Sequence, residues 1–188
     1  MNVSQRWQDR RCSWVKRHRH VDTSSLEVAL IDDDATAKAF VTTHHYSGSY
    51  PAARARVGLY QRGALVGVAV FSVPMNARVI PKWLKLDAKH GVELGRFVLL
   101  DEVGFNAETW FLARAFKLIH TAYGFKGVVA YSDPVARTDA EGNQVMPGHI
   151  GTIYQAHNAR YMGRGTARTL LFDRWGRVIS ARMLSKIK

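Results

Sequence analysis

Glu27-Val28-Ala29-Leu30-Ile31-Asp32-Asp33-Asp34-Ala35 changes character midway, and that change sets the class of fold. Its first half is a short apolar run, read as a strand. Three aspartates then supply the N-cap and first-turn acids of a helix through Ala35, Ala39, Phe40 and Val41. A strand feeding a helix recurs downstream. Val92 to Leu100 reads as a strand carrying Glu93 and Arg96, and Asn106 is placed to cap a helix through Tyr123. In that helix Leu112, Phe116, Ile119 and Tyr123 fall on one face at spacings of three and four.

Between these units lies a hairpin. Arg56 to Tyr60 and Leu65 to Phe71 are rich in β-formers, and Gln61-Arg62-Gly63-Ala64 joins them, with Gly63 free to take a positive φ. Gly127-Val128-Val129-Ala130-Tyr131 is a short apolar run of the kind buried at a sheet centre. Residues 134–148 read as a polar loop and residues 152–158 as a short helix. Thr169 to Phe172 and Arg177 to Ser180 form a terminal hairpin around Asp173-Arg174-Trp175-Gly176. This order predicts an α/β (α+β) fold, a mixed central sheet flanked by helices. Residues 1–24 read as a basic N-terminal extension or arm, and residues 25–188 as one domain.

Charge narrows the class of partner. Lys and Arg outnumber Asp and Glu by 27 to 15 in 188 residues, a formal +12. Such an excess favours a polyanion, of which nucleic acid is the commonest. The cations concentrate toward both ends, where Arg10, Arg11, Arg17, Arg164, Arg168 and Arg174 are the expected phosphate contacts. No apolar run is long enough to span a bilayer, and the basic N-terminus lacks a signal peptide's apolar segment. The lone Cys12 excludes an intramolecular disulfide and a cysteine-based zinc site. A reducing cytoplasm is the expected setting, and a homodimer is compatible with these features.

Chemistry-bearing residues cluster at element ends, where a scaffold displays function rather than core. His44-His45-Tyr46-Ser47-Gly48 closes the first helix, and Tyr131-Ser132-Asp133-Pro134 closes the apolar strand. His149-Ile150-Gly151-Thr152-Ile153-Tyr154-Gln155-Ala156 opens the short helix. Neighbouring histidines point apart, so one of His44 and His45 serves a given site. Glu93 and Arg96, three apart on a strand, are expected on opposite faces. Arg96, in an apolar stretch, calls for an anionic partner, a carboxylate or a substrate phosphate. No phosphate loop, dinucleotide fingerprint, nucleophile elbow or His-Glu-x-x-His pair occurs.

His45-Tyr46-Ser47-Gly48 with Pro51, Glu93-Leu94-Gly95-Arg96-Phe97, Asn106-Ala107-Glu108-Thr109, Tyr131-Ser132-Asp133 and His149 to Ala156 occur in this order. Together they resemble the Mom family of phage DNA modification proteins over about residues 28–172. The resemblance implies a GNAT-like fold acting on double-stranded DNA in the cytoplasm of the bacterial host. The implied product is the carbamoylmethyl (acetamido) derivative of adenine's exocyclic amine, which evades host restriction. Carried over by position, His45, Tyr46, Arg96, Ser132 and Asp133 would line the site, with Tyr154 and Glu93 as further candidates. Iron held by His45 with Tyr46 or a carboxylate would suit an alkylated amine. Acyl-CoA is disfavoured, because Asp101-Glu102-Val103-Gly104-Phe105-Asn106 lacks paired glycines and puts negative charge where a pyrophosphate would sit. An ordinary GNAT acetyltransferase and a non-enzymatic DNA-binding protein are the alternatives.

Overall fold

The computed structural model describes residues 3–8, 11–16, 20–166, 169–176 and 178–179, the first two stretches as backbone only. A five-stranded mixed sheet carries the fold. It consists of β3 (Leu26–Leu30), β4 (Ala53–Gln61), β5 (Ala64–Ser72), β6 (Gly91–Leu99) and β7 (Gly127–Val129), in that spatial order. Neighbours are antiparallel except β6 and β7, which run parallel because the long helix α2 (Ala107–Tyr123) carries the chain back between them. The expected α+β class is thus the one observed. The β4–β5 turn is the expected one: Arg62 and Gly63 have φ of 51° and 82°, the two left-handed residues of a type I′ hairpin.

Each face of the sheet carries one helix. On one side Leu59, Ala69, Phe71, Val92 and Leu94 meet Phe111, Leu112, Ala115 and Ile119 of α2. On the other, Val68, Val70 and Val98 meet Ala37 and Val41 of α1 (Asp34–His44), one helical turn apart on its inner stripe. Fully buried side chains such as Phe71 and Phe111 each contribute about 1.5–3 kcal/mol of transfer free energy. Asp33 caps α1 as expected, accepting the Thr36 N–H at 2.6 Å. Asn106 stands at the start of α2 but does not cap it with its side chain: it is left-handed, with φ 71°.

Other expectations need correcting. β7 lies at the edge of the sheet, not its centre, and its three residues are half-buried. Its apolarity is explained from outside, because Leu84 and Leu86 pack over Gly127. The loop at residues 134–148 contains a small hairpin of β8 (Arg137–Thr138) and β9 (Gln144–Met146). The C-terminal strands β10 (Leu171–Phe172) and β11 (Val178–Ile179) pair as expected and dock on that hairpin, where Ala140 N–H donates to Arg174 O at 2.9 Å. Near the N-terminus, β1 (Val3–Gln8) and β2 (Arg11–Lys16) form an antiparallel pair. Val21 N–H then ties the chain to Phe105 O at 3.2 Å. Among the described residues no helix is long and apolar enough to cross a membrane.

Candidate active site

α1 ends in the His-His-Tyr-Ser-Gly run, and the two histidines diverge there as expected. The ring of His44 packs on Phe40 with centroids 4.7 Å apart, whereas His45 turns inward and is 8% exposed. Nδ1 of His45 accepts the Ser47 N–H at 3.2 Å and lies 2.9 Å from Ser47 Oγ. The proton of the neutral ring therefore sits on Nε2. Burial, reinforced by the charge of Arg96 and by His149, lowers the pKa of His45 to about 3. His45 is neutral throughout the physiological range.

Tyr46 stacks obliquely on His45, with ring centroids 4.2 Å apart. Its hydroxyl shares a hydrogen bond of 3.3 Å with Nε2 of His149, a residue about a hundred positions away. Burial raises the pKa of Tyr46 and lowers that of His149, so both remain neutral. The His149 N–H donates to the backbone carbonyl of Asp133 at 2.8 Å, joining the second and third polar runs. Gly151 sits between Ser132 and Tyr154: a Cβ built on it would lie 3.3 Å from Ser132 Cβ and 2.9 Å from the Tyr154 ring. Burial, with Tyr46 and Glu93 nearby, raises Tyr154 to about 12.

The strand β6 overturns one expectation. Glu93 and Arg96 do not face opposite ways. Phe71 pairs with Leu94 and Val70 with Arg96, so Gly95 is an extra residue with no partner on β5. This β-bulge resets the alternation and puts Glu93, Arg96 and Val98 on one face, with Leu94, Phe97 and Leu99 on the other. Glycine is required at the bulge, because a Cβ there would meet Ser72 Oγ at 2.4 Å and Pro51 Cγ at 3.1 Å. Glu93 and Arg96 sense each other's charge across this face.

Among the described residues no carboxylate holds Arg96 at hydrogen-bonding distance. Arg96 donates from Nε to Ser49 O at 2.9 Å, from Nη2 to Ser49 Oγ at 2.7 Å and from Nη1 to the Gly95 carbonyl. The guanidinium thereby braces the loop that carries His45 and Tyr46, and burial works against its charge. Glu93 is half-buried. Desolvation raises its pKa above the ordinary carboxylate value, although the Met75 N–H donates to it and Arg96 lies nearby. Tyr131 stands close enough to feel the Glu93 charge. Asp133 is committed elsewhere, bonded by Arg137, whose guanidinium also lies 5.3 Å from the Phe172 ring.

His45, Tyr46, Glu93, Arg96, Ser132, Asp133 and Tyr154 thus fall in one neighbourhood, at the C-terminal ends of α1 and β7. Sequence reasoning left His149, Arg137 and Tyr131 out of the site. The polar run around His149 was the signal for one of them; Arg137 in its polar loop gave none.

A shallow pocket at the start of α2 is lined by Phe105, Asn106, Glu108, Thr109, Thr152, Ile153 and Ala156. It lies at the turn where acyl-CoA was disfavoured, and Glu108 stands on its wall. Among the described residues no three His, Cys, Asp or Glu side chains converge to hold a metal ion.

Exposed cations also occur away from the chain ends. Arg78, Lys82, Lys85 and Lys89 lie exposed on the connection between β5 and β6, and among the described residues none is in an ion pair. Asp87 is the sole acid from 78 to 90, and it faces His90 at 3.9 Å. Arg54 fixes this segment by donating to the carbonyls of Ala88, Lys89 and Gly91 at 2.8–3.2 Å. Of the arginines expected on DNA, Arg164 is exposed, and Arg174 is exposed and pairs with Glu141 at 3.4 Å. Arg11 lies in β2, described as backbone only, and Arg10, Arg17 and Arg168 lie outside the described residues.

The sequence profile of the Mom protein family matches residues 25–186. The chain belongs to the Mom protein family. The match spans every site residue named above, as well as the cationic connection at 78–89. A comparison with individual curated proteins finds no match. Membership of the Mom family, a family of phage DNA modification proteins, makes DNA the substrate.

Proposed function

We propose that the protein converts the exocyclic amine of adenine in double-stranded DNA to its carbamoylmethyl (acetamido) derivative, on a GNAT-like scaffold, and so shields phage DNA from host restriction. Membership of the Mom family supports the substrate. The observation that carries the site is the bulge at Gly95, which turns Glu93 and Arg96 to one face beside Tyr46, His149 and Tyr154. A duplex buries the amine, so the base has to leave the stack to reach these groups.

The residues divide the work as follows. Tyr46 and Tyr154, both neutral and largely buried, wall the cleft and stack on the entering base. Glu93, with its raised pKa, takes the proton that the amine loses as its nitrogen displaces a leaving group from the donor's methylene carbon, the broken bond's electron pair departing with that group. It suits that role better than Asp133, whose carboxylate is tied to Arg137. Arg96 holds the 45–51 loop, and its charge favours the ionised form of Glu93 against desolvation. His45, neutral and buried, orients Tyr46, and Ser132 contributes a hydroxyl at the rim. Arg78, Lys82, Lys85 and Lys89 join the terminal arginines in gripping phosphates.

The test is mass spectrometry of nucleosides from DNA of cells expressing the protein. The wild type is expected to yield a modified adenosine, and Glu93→Gln to lower it by roughly 100-fold or more. Only the four ordinary nucleosides, with soluble wild-type protein present, would refute the reading. Unchanged modification by Glu93→Gln would remove Glu93 as the base.

A further inference from the structure

Beside the cleft, the chain leaving β5 does something the chemistry does not require. Ser72, the last residue of β5, is 1% exposed and paired with Glu93. Val73 and Met75 follow immediately and are 55% and 84% exposed, with Pro74 buried between them. The loop is not a loose one. Val73 N–H donates to Ala52 O at 3.0 Å, and Met75 N–H donates to the Glu93 carboxylate. Arg78 N–H donates to Asn76 Oδ1 at 2.9 Å. A long apolar side chain is thus held out into solvent by a backbone pinned to the floor of the site.

Two neighbours say what it meets there. Arg78, Lys82, Lys85 and Lys89 continue the same segment as exposed cations, suited to phosphate contacts. Tyr131 and Ile150, 51% and 69% exposed, stand next to Ser132 and His149 of the candidate site. Exposed apolar side chains and exposed cations thus both adjoin residues of the candidate site. DNA-bending and base-extruding proteins insert apolar wedges such as Met or Leu between base steps, holding the gap open.

We propose that Met75 is the wedge of this enzyme: it enters the duplex beside the target adenine and fills the place the base leaves on swinging toward Glu93. The inference rests on the DNA-modifying reading above, and its test separates the two. Lysate of expressing cells, which supplies the donor, is given a pool of duplex oligonucleotides covering varied adenine contexts. A second pool carries abasic sites opposite the adenines, so that extrusion is already easy. Modified adenosine is read by mass spectrometry for wild type, Met75→Ala and Met75→Leu.

Met75→Ala should fall about ten-fold or more on intact duplex and stay within about two-fold of wild type on the abasic pool. Met75→Leu should restore activity on both. Equal activity of Met75→Ala and wild type on intact duplex would overturn the wedge, as would an equal loss on both pools. If wild type modifies neither pool, the DNA-modifying reading fails. Fluorescence of 2-aminopurine in duplex then decides the wedge: a rise with wild type and Met75→Leu, absent with Met75→Ala, supports it, and no rise with wild type overturns it.

Discussion

Gly95→Ala tests the bulge on which the site depends. The added Cβ would lie 2.4 Å from Ser72 Oγ, 3.2 Å from Ser72 Cβ and 3.1 Å from Pro51 Cγ. Ser72 is 1% exposed and belongs to β5, so it cannot swing away as a surface side chain would. Forcing a methyl into such a space costs about 1–3 kcal/mol. In a chain of this size that corresponds to a fall in Tm of about 2–12 °C. The hydroxyl is the nearest obstacle, so Ser72→Ala should relieve part of the clash. The double variant should be less destabilised than the sum of the single ones, a coupling readable by thermal or urea denaturation. Activity supplies a second readout. If the strand escapes the clash by losing its bulge, Glu93 and Arg96 turn to opposite faces, and modification drops further than stability explains. A Tm for Gly95→Ala within about 1 °C of wild type, or strict additivity with Ser72→Ala, would refute the reasoning.

Other expectations follow from the same geometry. His45 has a folded pKa of about 3 against an ordinary 6.5, so the unfolded chain binds the extra proton between those values and stability falls as pH drops through that window. The loss is on the order of 5 kcal/mol, and His45→Gln should flatten that part of a urea-denaturation pH profile. Replacing Arg78, Lys82, Lys85 and Lys89 by Gln should leave the Tm within about 2 °C of wild type and reduce the slope of log K against log salt by about 0.9 for each phosphate left unneutralised. An unchanged slope would remove this segment from the DNA interface. Arg54→Lys replaces a fork that holds three carbonyls and lies over the Phe125 ring at 4.5 Å. It should cost about 1–3 kcal/mol by denaturation and speed hydrogen exchange at residues 88–91.

What the sequence showed and what it hid differ by the range of the forces involved. Asp33 and the aspartates beside it, the Arg62-Gly63 turn and the apolar stripe of α2 act within a few residues, so pattern alone placed β3, α1, the β4–β5 hairpin and α2. His45 and Tyr46 were legible for the same reason: a helix that ends in a Gly-containing run has to display its last side chains somewhere. Glu93 and Arg96 were misassigned because alternation assumes an unbroken strand, and the break at Gly95 is imposed by Ser72 and Pro51, distant in sequence. β7 was misplaced because the residues that cover its edge, Leu84 and Leu86, belong to a segment with no strong pattern of its own.

That segment also shows what charge counting overlooks. Arginines at the chain ends are conspicuous as clusters, whereas Arg78, Lys82, Lys85 and Lys89 are spread out and interrupted by apolar residues. Tertiary contacts fix the segment that carries them: Ile80 packs on Gly91, Leu84 packs on Gly127, and Arg54 binds the carbonyls of Ala88, Lys89 and Gly91. The apolar residues between the cations are therefore anchors to the sheet. The cations between them stay exposed, so the charges suited to DNA and the groups suited to its base, Glu93 and Arg96, belong to one continuous stretch of chain, Ser72 to Arg96.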